Sequence, residues 1–170
     1  MFSATLNENV EFGSKSNASD QHLSVTQAIE SAQLASDITR FSNKAETMVG
    51  EKGIMLSGGQ KQRVSIARAL YTPADILILD NVLSAVDYET ERAIMSELNN
   101  QLIDRSLIVV SHRISALQDM DEILVLKEGE IIARGQHQQL LENSSYYKHT
   151  WELQQNEKQN EKQNEQEDEA

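Results

Sequence analysis

Apolar positions recur along this chain at two different spacings, and the alternation between them predicts its elements. From Ser24 to about Ser36, Val25, Ile29 and Ala32 fall at the interval that lines one face of a helix. A second helix is predicted from near Gly59 to about Leu70, with Val64, Ala67 and Leu70/Tyr71 on one face, and Pro73, the only proline, stops it. Ile76-Leu77-Ile78-Leu79 is an unbroken apolar run closed by Asp80, and Leu107-Ile108-Val109-Val110 is another closed by Ser111-His112. Between these runs Ile94, Leu98 and Leu102 mark a helix over residues 88–102, with Glu89 and Glu91 in the first turn, where the helix dipole favours acids. Ile123–Leu126 and Ile131–Ala133 flank a Glu128-Gly129-Glu130 turn and predict a hairpin. A last helix is predicted over residues 138–151, and residues 37–55 read as a polar stretch holding Gly50 and Gly53.

Apolar runs alternating with amphipathic helices predict an α/β fold whose parallel sheet is buried on both faces. Ligands of such sheets bind beyond the carboxyl ends of the strands. Asp80 and His112 both stand at such ends, which makes that edge a candidate site before any chemistry is considered.

Composition narrows the classes. The 170 residues suit one domain of ordinary size. Acids number 27 against 15 bases, a formal charge of -12, which disfavours a general nucleic-acid binder. Cysteine is absent, so disulfide frameworks, thiolate metal sites and thiol catalysis are excluded. No apolar stretch approaches the ~20 residues that span a bilayer, and Met1-Phe2-Ser3-Ala4-Thr5 lacks the layout of a secretory signal; a soluble, intracellular chain is expected. Residues 152–170 carry seven acids and two lysines in a Gln-Asn-Glu-Lys repeat with no apolar member. Such a tail cannot bury enough surface to offset its ordering entropy, so a disordered segment or frayed helix is expected after Trp151.

Three places hold residues suited to chemistry. In Leu56-Ser57-Gly58-Gly59-Gln60, two glycines let a ligand approach the backbone, a serine hydroxyl can donate, and a helix begins at once. That is an anion-binding layout, and phosphate is its natural ligand; the plainer reading, a helix N-cap after a flexible turn, is equally compatible with the residues. Asp80 at a strand end suits hydrated Mg²⁺, although such an acid more often caps the next turn. His112 can donate to a phosphate oxygen or orient water, although a lone histidine there is more often structural. His22, His137 and His149 show no metal-ligand spacing and read as surface or cap residues.

Taken in order, these features resemble the ATP-binding-cassette (ABC) ATPase domain, in its multidrug and lipid exporter branch. Leu56–Gln60 resembles the signature loop of that family, Ile76–Asp80 its Walker B strand, Ser84-Ala85-Val86-Asp87 its D-loop, and His112 its switch histidine. Thr47-x-Val49-Gly50-Glu51-x-Gly53 resembles the exporter X-loop, and Phe2–Val10 the stretch after the Q-loop glutamine. The resemblance covers roughly residues 1–150, and several motifs in order are far more specific than any one alone. It implies part of a P-loop NTPase-type parallel sheet with the ABC helical subdomain. Residues of about 20–70 would form that subdomain, about 71–151 the Walker B, D-loop and histidine part of the core, and 152–170 the acidic tail.

The resemblance also implies roles. Two ATP-binding domains of the family sandwich ATP head to tail, so Ser57, Gly58 and Gly59 would act in trans on ATP held by a partner domain, and Gln60 would help close the interface. Asp80 would hold Mg²⁺ through water, Ser84 and Asp87 would belong to the loop linking the two sites, Glu51 would face the transmembrane domain, and His112 would contact the γ-phosphate and attacking water. The implied setting is the cytoplasmic face of a membrane, reached through a transmembrane domain outside this chain. Two departures matter. The G-x-x-x-x-G-K-[ST] pattern is absent, as are the adenine-stacking aromatic and the Q-loop glutamine, so a chain inactive alone and marginally folded, with an exposed apolar face, is expected. Asn81 stands where the family has its general-base glutamate, and an amide cannot take that proton. An intact signature beside Asn81 resembles one half of a heterodimeric exporter. The alternatives are a non-catalytic dimerisation module and a truncated remnant; a cassette ATPase acting on ribosomes or DNA fits the acidic chain poorly.

Overall fold

The computed structural model describes residues 1–13, 23–101 and 105–168, with the side chains of all of these but 158 and 160–168. His22, Leu102 and the expected start of the helical region near residue 20 lie outside the described residues. The chain divides into two compact units, Met1–Ser111 and His112–Ala170.

The first unit opens with β1 (Ala4–Thr5), antiparallel to β2 (Met48–Val49) with Ala4 opposite Val49 and Thr5 opposite Met48. α1 (Leu6–Glu11) follows at once because Thr5 caps it: its hydroxyl accepts the Glu8 N–H at 3.1 Å and the Glu8 carboxylate accepts the Thr5 N–H at 2.8 Å. α2 (Val25–Ser31) has the same reciprocal cap from Ser24 and Gln27. The helix expected to run to Ser36 instead breaks after Ser31 and resumes as α3 (Ala35–Thr39). The break is at Gln33, whose φ of 56° is left-handed, a conformation that ends the regular helical hydrogen bonding. α1 and α2 pack on α4 (Gly58–Tyr71), α2 also meets α5 (Tyr88–Gln101), and α4 rests on β3 (Ile76–Asp80). Leu6, Val64, Leu70, Ile94 and Leu98 are buried in this unit, each burial contributing about 1.5–3 kcal/mol of transfer free energy.

β3 pairs in parallel with β4 (Ser106–Val110), Ile76 opposite Ser106 through Asp80 opposite Val110, with α5 in the crossover between them. The expectation of burial on both faces is corrected here. Leu77 and Leu79 are buried, whereas Ile76 is 55% exposed, Ile78 62%, Ile108 48% and Val110 53%. Burial alternates because, among the described residues, the pair has only two strands and its helical packing reaches only one face. The other face is an open apolar strip of the kind anticipated from the sequence.

The second unit holds the predicted hairpin, β5 (Ile123–Lys127) and β6 (Glu130–Gly135), with a bulge at Val125/Leu126. The single last helix expected over 138–151 is two helices, α6 (His137–Asn143) and α7 (Ser145–Asp168). The break falls at Ser144, whose extended backbone lets its hydroxyl accept the Tyr147 N–H at 3.3 Å and so cap α7. α7 continues through the acidic repeat to Asp168.

Ile114, Ile123, Leu140 and Tyr147 form the core of this unit, with Trp151 packed on it. His137 sits on its rim. Its Nδ1 lies 2.8 Å from the Tyr147 hydroxyl and its ring meets Trp151 edge-on at 4.8 Å. Burial pushes the His137 imidazole below its usual range, opposed by the charge of Asp119, and raises the Tyr147 hydroxyl to about 12. A histidine whose folded pKa lies below its unfolded value of about 6.5 leaves stability intact above that pH and removes it as pH falls from there through the folded pKa. Melts followed by the fluorescence of Trp151, the only tryptophan, are therefore expected to move to lower temperature between pH 7.5 and 5, and His137→Gln to flatten that dependence. An unchanged slope in the variant would contradict this assignment.

Candidate functional site

Both readings of Leu56–Gln60 meet in one structure. Ser57 is the N-cap of α4: its hydroxyl accepts the Gln60 N–H at 3.2 Å, and the Gln60 side-chain oxygen accepts the Ser57 N–H at 2.9 Å. The cap leaves the Gly58 and Gly59 N–H groups, at the first two helical positions, with no partner inside the helix. The Ser57 hydroxyl accepts one bond and keeps its own proton to donate. Ser57 and Gly58 are exposed, Leu56 beneath them is buried, and Gly59 and Gln60 are half-buried. Donors at the positive end of a long helix, uncovered and backed by an apolar anchor, can bind an anion.

Gln60 is more constrained than its sequence position implied. Its amide nitrogen donates to Asp37 Oδ1 at 2.8 Å, and Asp37 Oδ2 pairs with Arg63 at 2.9 Å. Arg63 also donates to the Gln33 carbonyl at 2.5 Å, so the left-handed break after α2 supplies an acceptor for the signature helix. The Gln60 amide therefore works within the chain, holding the start of α4 against α3.

The loop after β3 lies beside the same helix end. Gln62 reaches it with both ends of its amide, donating to the Ser84 hydroxyl at 2.9 Å and accepting the Ala85 N–H at 2.9 Å. A Cβ added to Gly59 would stand 2.7 Å from the Ala85 carbonyl oxygen, so glycine is required there for packing as well as for ligand access. Asp87 immediately precedes α5 and its carboxylate accepts the Thr90 N–H at 2.9 Å. Hydrogen bonds from the Thr90 backbone and side chain hold its carboxyl below the usual range, despite a smaller opposing effect of burial.

Asp80 ends β3 and is exposed, not buried as its place after four apolar residues suggested; the open face of β3 carries it outward with Ile76 and Ile78. Among the described residues no group of three acids or histidines is arranged to hold a metal. A single carboxylate suits Mg²⁺, which keeps several waters and takes other ligands from phosphates. Asn81 follows with φ of 51°, and its N–H donates to the carbonyl of Val110, the last residue of β4, at 2.8 Å, prolonging the ladder one residue beyond β3. Asparagine tolerates this left-handed backbone better than most residues do. Glu51 is exposed in the turn between Gly50 and Gly53, both tightly held: Gly50 has φ of 93°, and any side chain on Gly53 would strike the Met48 carbonyl. His112 opens the second unit with an exposed side chain, while its carbonyl accepts the Gln154 amide at 2.7 Å.

The structure thus brings Ser57–Gln60 together with Ser84 and Ala85. Asp80 and Asn81 lie at the tip of the parallel pair, and Glu51 lies in its own turn. Gln62, Asp37 and Arg63 were not singled out from the sequence. Gln62 had a usable signal, since it follows Gly59 by three and Gly58 by four residues and so shares their helix face.

The family described as ABC transporter matches residues 3–84. A probable multidrug resistance ABC transporter ATP-binding/permease protein, YheI of Bacillus subtilis, is 46% identical over 155 residues, which are 91% of this chain and 26% of that protein. The ATP-dependent lipid A-core flippase of Nitrosococcus oceani is 41% identical over 154 residues, again 91% of this chain and 26% of the relative. The solved structure of a bacterial Atm1-family ABC exporter with ATP bound is matched with a TM-score of 0.80 at 36% identity, covering 91% of this chain and 27% of that one. The chain spans about a quarter of the length of the proteins it matches. Motif order, α/β architecture and sequence agree over most of its length, and throughout that stretch the chain is similar to ABC transporters of the exporter type.

Proposed function

We propose that this chain supplies its signature loop to ATP held by the P-loop of a second ATP-binding domain, in an assembly that powers export through a transmembrane domain. The observation that carries the reading is the rim at the start of α4, exposed at Ser57 and Gly58 and half-buried at Gly59, with donors that the helix itself does not use. A nucleoside triphosphate bound there would supply the phosphoryl group whose transfer to water releases the energy. This chain's part is to place the two glycine N–H groups and the Ser57 hydroxyl toward that charge. Asp80 is proposed to hold Mg²⁺ through water, Asp87 to face the second domain, Glu51 to meet the transmembrane domain and His112 to contact the terminal phosphate.

The chain's own turnover is proposed to be negligible. No G-x-x-x-x-G-K-[ST] pattern occurs in it, and most phosphate-binding energy in such ATPases comes from that cradle and its lysine. Asn81 adds a second deficit, since its amide accepts no proton at neutral pH. This favours a heterodimer in which the present chain activates its partner, and a non-catalytic docking module is the same surface used without turnover. The test adds the chain to a complete exporter ATP-binding domain and follows phosphate release. The expected results are no turnover by the chain alone, a raised rate in the mixture, and no rise with Ser57→Arg. A rate that ignores the chain, or responds equally to Ser57→Arg, overturns the proposal.

A further inference from the structure

Gln62 has no role in the reading above, yet its side chain bridges α4 and the loop after β3. Its amide is used at both ends on adjacent residues, Ser84 Oγ at 2.9 Å and the Ala85 N–H at 2.9 Å. The Ala85 carbonyl is meanwhile pressed on Gly59, at the 2.7 Å that a Cβ there would meet, and the Ala85 Cβ faces Gly58 at 3.6 Å from such an added atom. Ala85 is therefore hydrogen-bonded at its N–H by Gln62, while its carbonyl and side chain lie close over Gly59 and Gly58 of the same helix face. We propose that Gln62 is a positioning residue that locks the Ser84–Asp87 segment to the signature loop, so that both reach a partner domain as one rigid surface. This rests on the trans reading of Ser57–Gly59. It differs in asking how the rim is held, not what it binds. A glutamine suits the task because one amide supplies an acceptor for the Ala85 N–H and a donor to the Ser84 oxygen.

The test compares the full chain with Gln62→Ala and Gln62→Glu by amide hydrogen exchange, and then by affinity for a complete exporter ATP-binding domain in ATP. Alanine is a strong helix former, so α4 persists while both bonds vanish. Two partly exposed hydrogen bonds correspond to about a tenfold effect together, so the Ala85 amide is expected to exchange about tenfold faster in Gln62→Ala, and the partner affinity to fall by a similar factor. Gln62→Glu keeps an acceptor for the Ala85 N–H and is expected to retain its protection, which general loosening of the helix would not. Unchanged Ala85 exchange in Gln62→Ala overturns the lock. Faster exchange with undiminished affinity overturns its role at the interface. Failure of the unaltered chain to bind the partner at all counts against the trans reading, while the exchange result still decides whether the lock exists.

Discussion

Gly59→Ala is expected to destabilise the chain and abolish its ATP-dependent binding to a partner domain, whereas Gly58→Ala one position earlier is expected to be harmless to the fold. Alanine improves on glycine in a helix by up to about 1 kcal/mol. At Gly58 that gain is uncontested, because the new Cβ meets only the Ala85 side chain at 3.6 Å. At Gly59 the new atom stands 2.7 Å from a backbone carbonyl oxygen, which has no rotamer by which to retreat. The loop must move, at a cost of about 1–3 kcal/mol for an overpacked site, and the cost exceeds the propensity gain. Thermal melts of the two variants check this directly. Equal stabilisation of both would mean that the loop yields freely and that the close approach is incidental.

Asn9→Leu is expected to remove about 3 kcal/mol, a large part of the stability of a small domain. Asn9 is fully buried, and its amide works as a hub. The side-chain oxygen accepts the Phe2 N–H at 2.9 Å and Arg68 Nη2 at 3.2 Å, and the nitrogen donates to the Phe2 and Thr5 carbonyls at 3.0 Å each. Arg68 Nε also donates to the Asn9 carbonyl at 2.7 Å, tying the first strand and helix to the far end of the signature helix. Leucine fills the same space but takes away the acceptor of the Phe2 N–H and of Arg68 Nη2 and one donor to each of the Phe2 and Thr5 carbonyls, and a buried donor so stranded costs about 1–3 kcal/mol where water cannot replace its partner. Urea unfolding of the variant measures the loss. A change under about 1 kcal/mol would show that solvent reaches these groups and that the hub is replaceable.

The parts of this fold legible in the sequence are those set by local physics. The runs at Ile76–Leu79 and Leu107–Val110 became the parallel pair, the Glu128-Gly129-Glu130 turn became the hairpin, and the period through Val64, Ala67 and Leu70 became α4. What the pattern hid depends on neighbours. An apolar run reads alike whether one face or both are covered, so the exposure of Ile76 and Ile78 could not be read from it. The helix breaks at Gln33 and Ser144 fall where apolar spacing continues undisturbed, and only a left-handed φ or a serine cap betrays them. At the candidate site, the cap at Ser57–Gln60 was legible because its serine, two glycines and glutamine stand at the start of a helical period. The Gln62 bridge was not, because its value lies in a loop more than twenty residues away, folded back onto the helix.

The Ser57–Gly59 rim is proposed to engage a triphosphate lodged on another domain. Sedimentation of the full chain with a complete exporter ATP-binding domain, in ATP and in ADP, tests it most directly. A joint species in ATP, absent in ADP and lost with Ser57→Arg, is the predicted result. Separate sedimentation in ATP, or a joint species that persists in ADP and with Ser57→Arg, would contradict it.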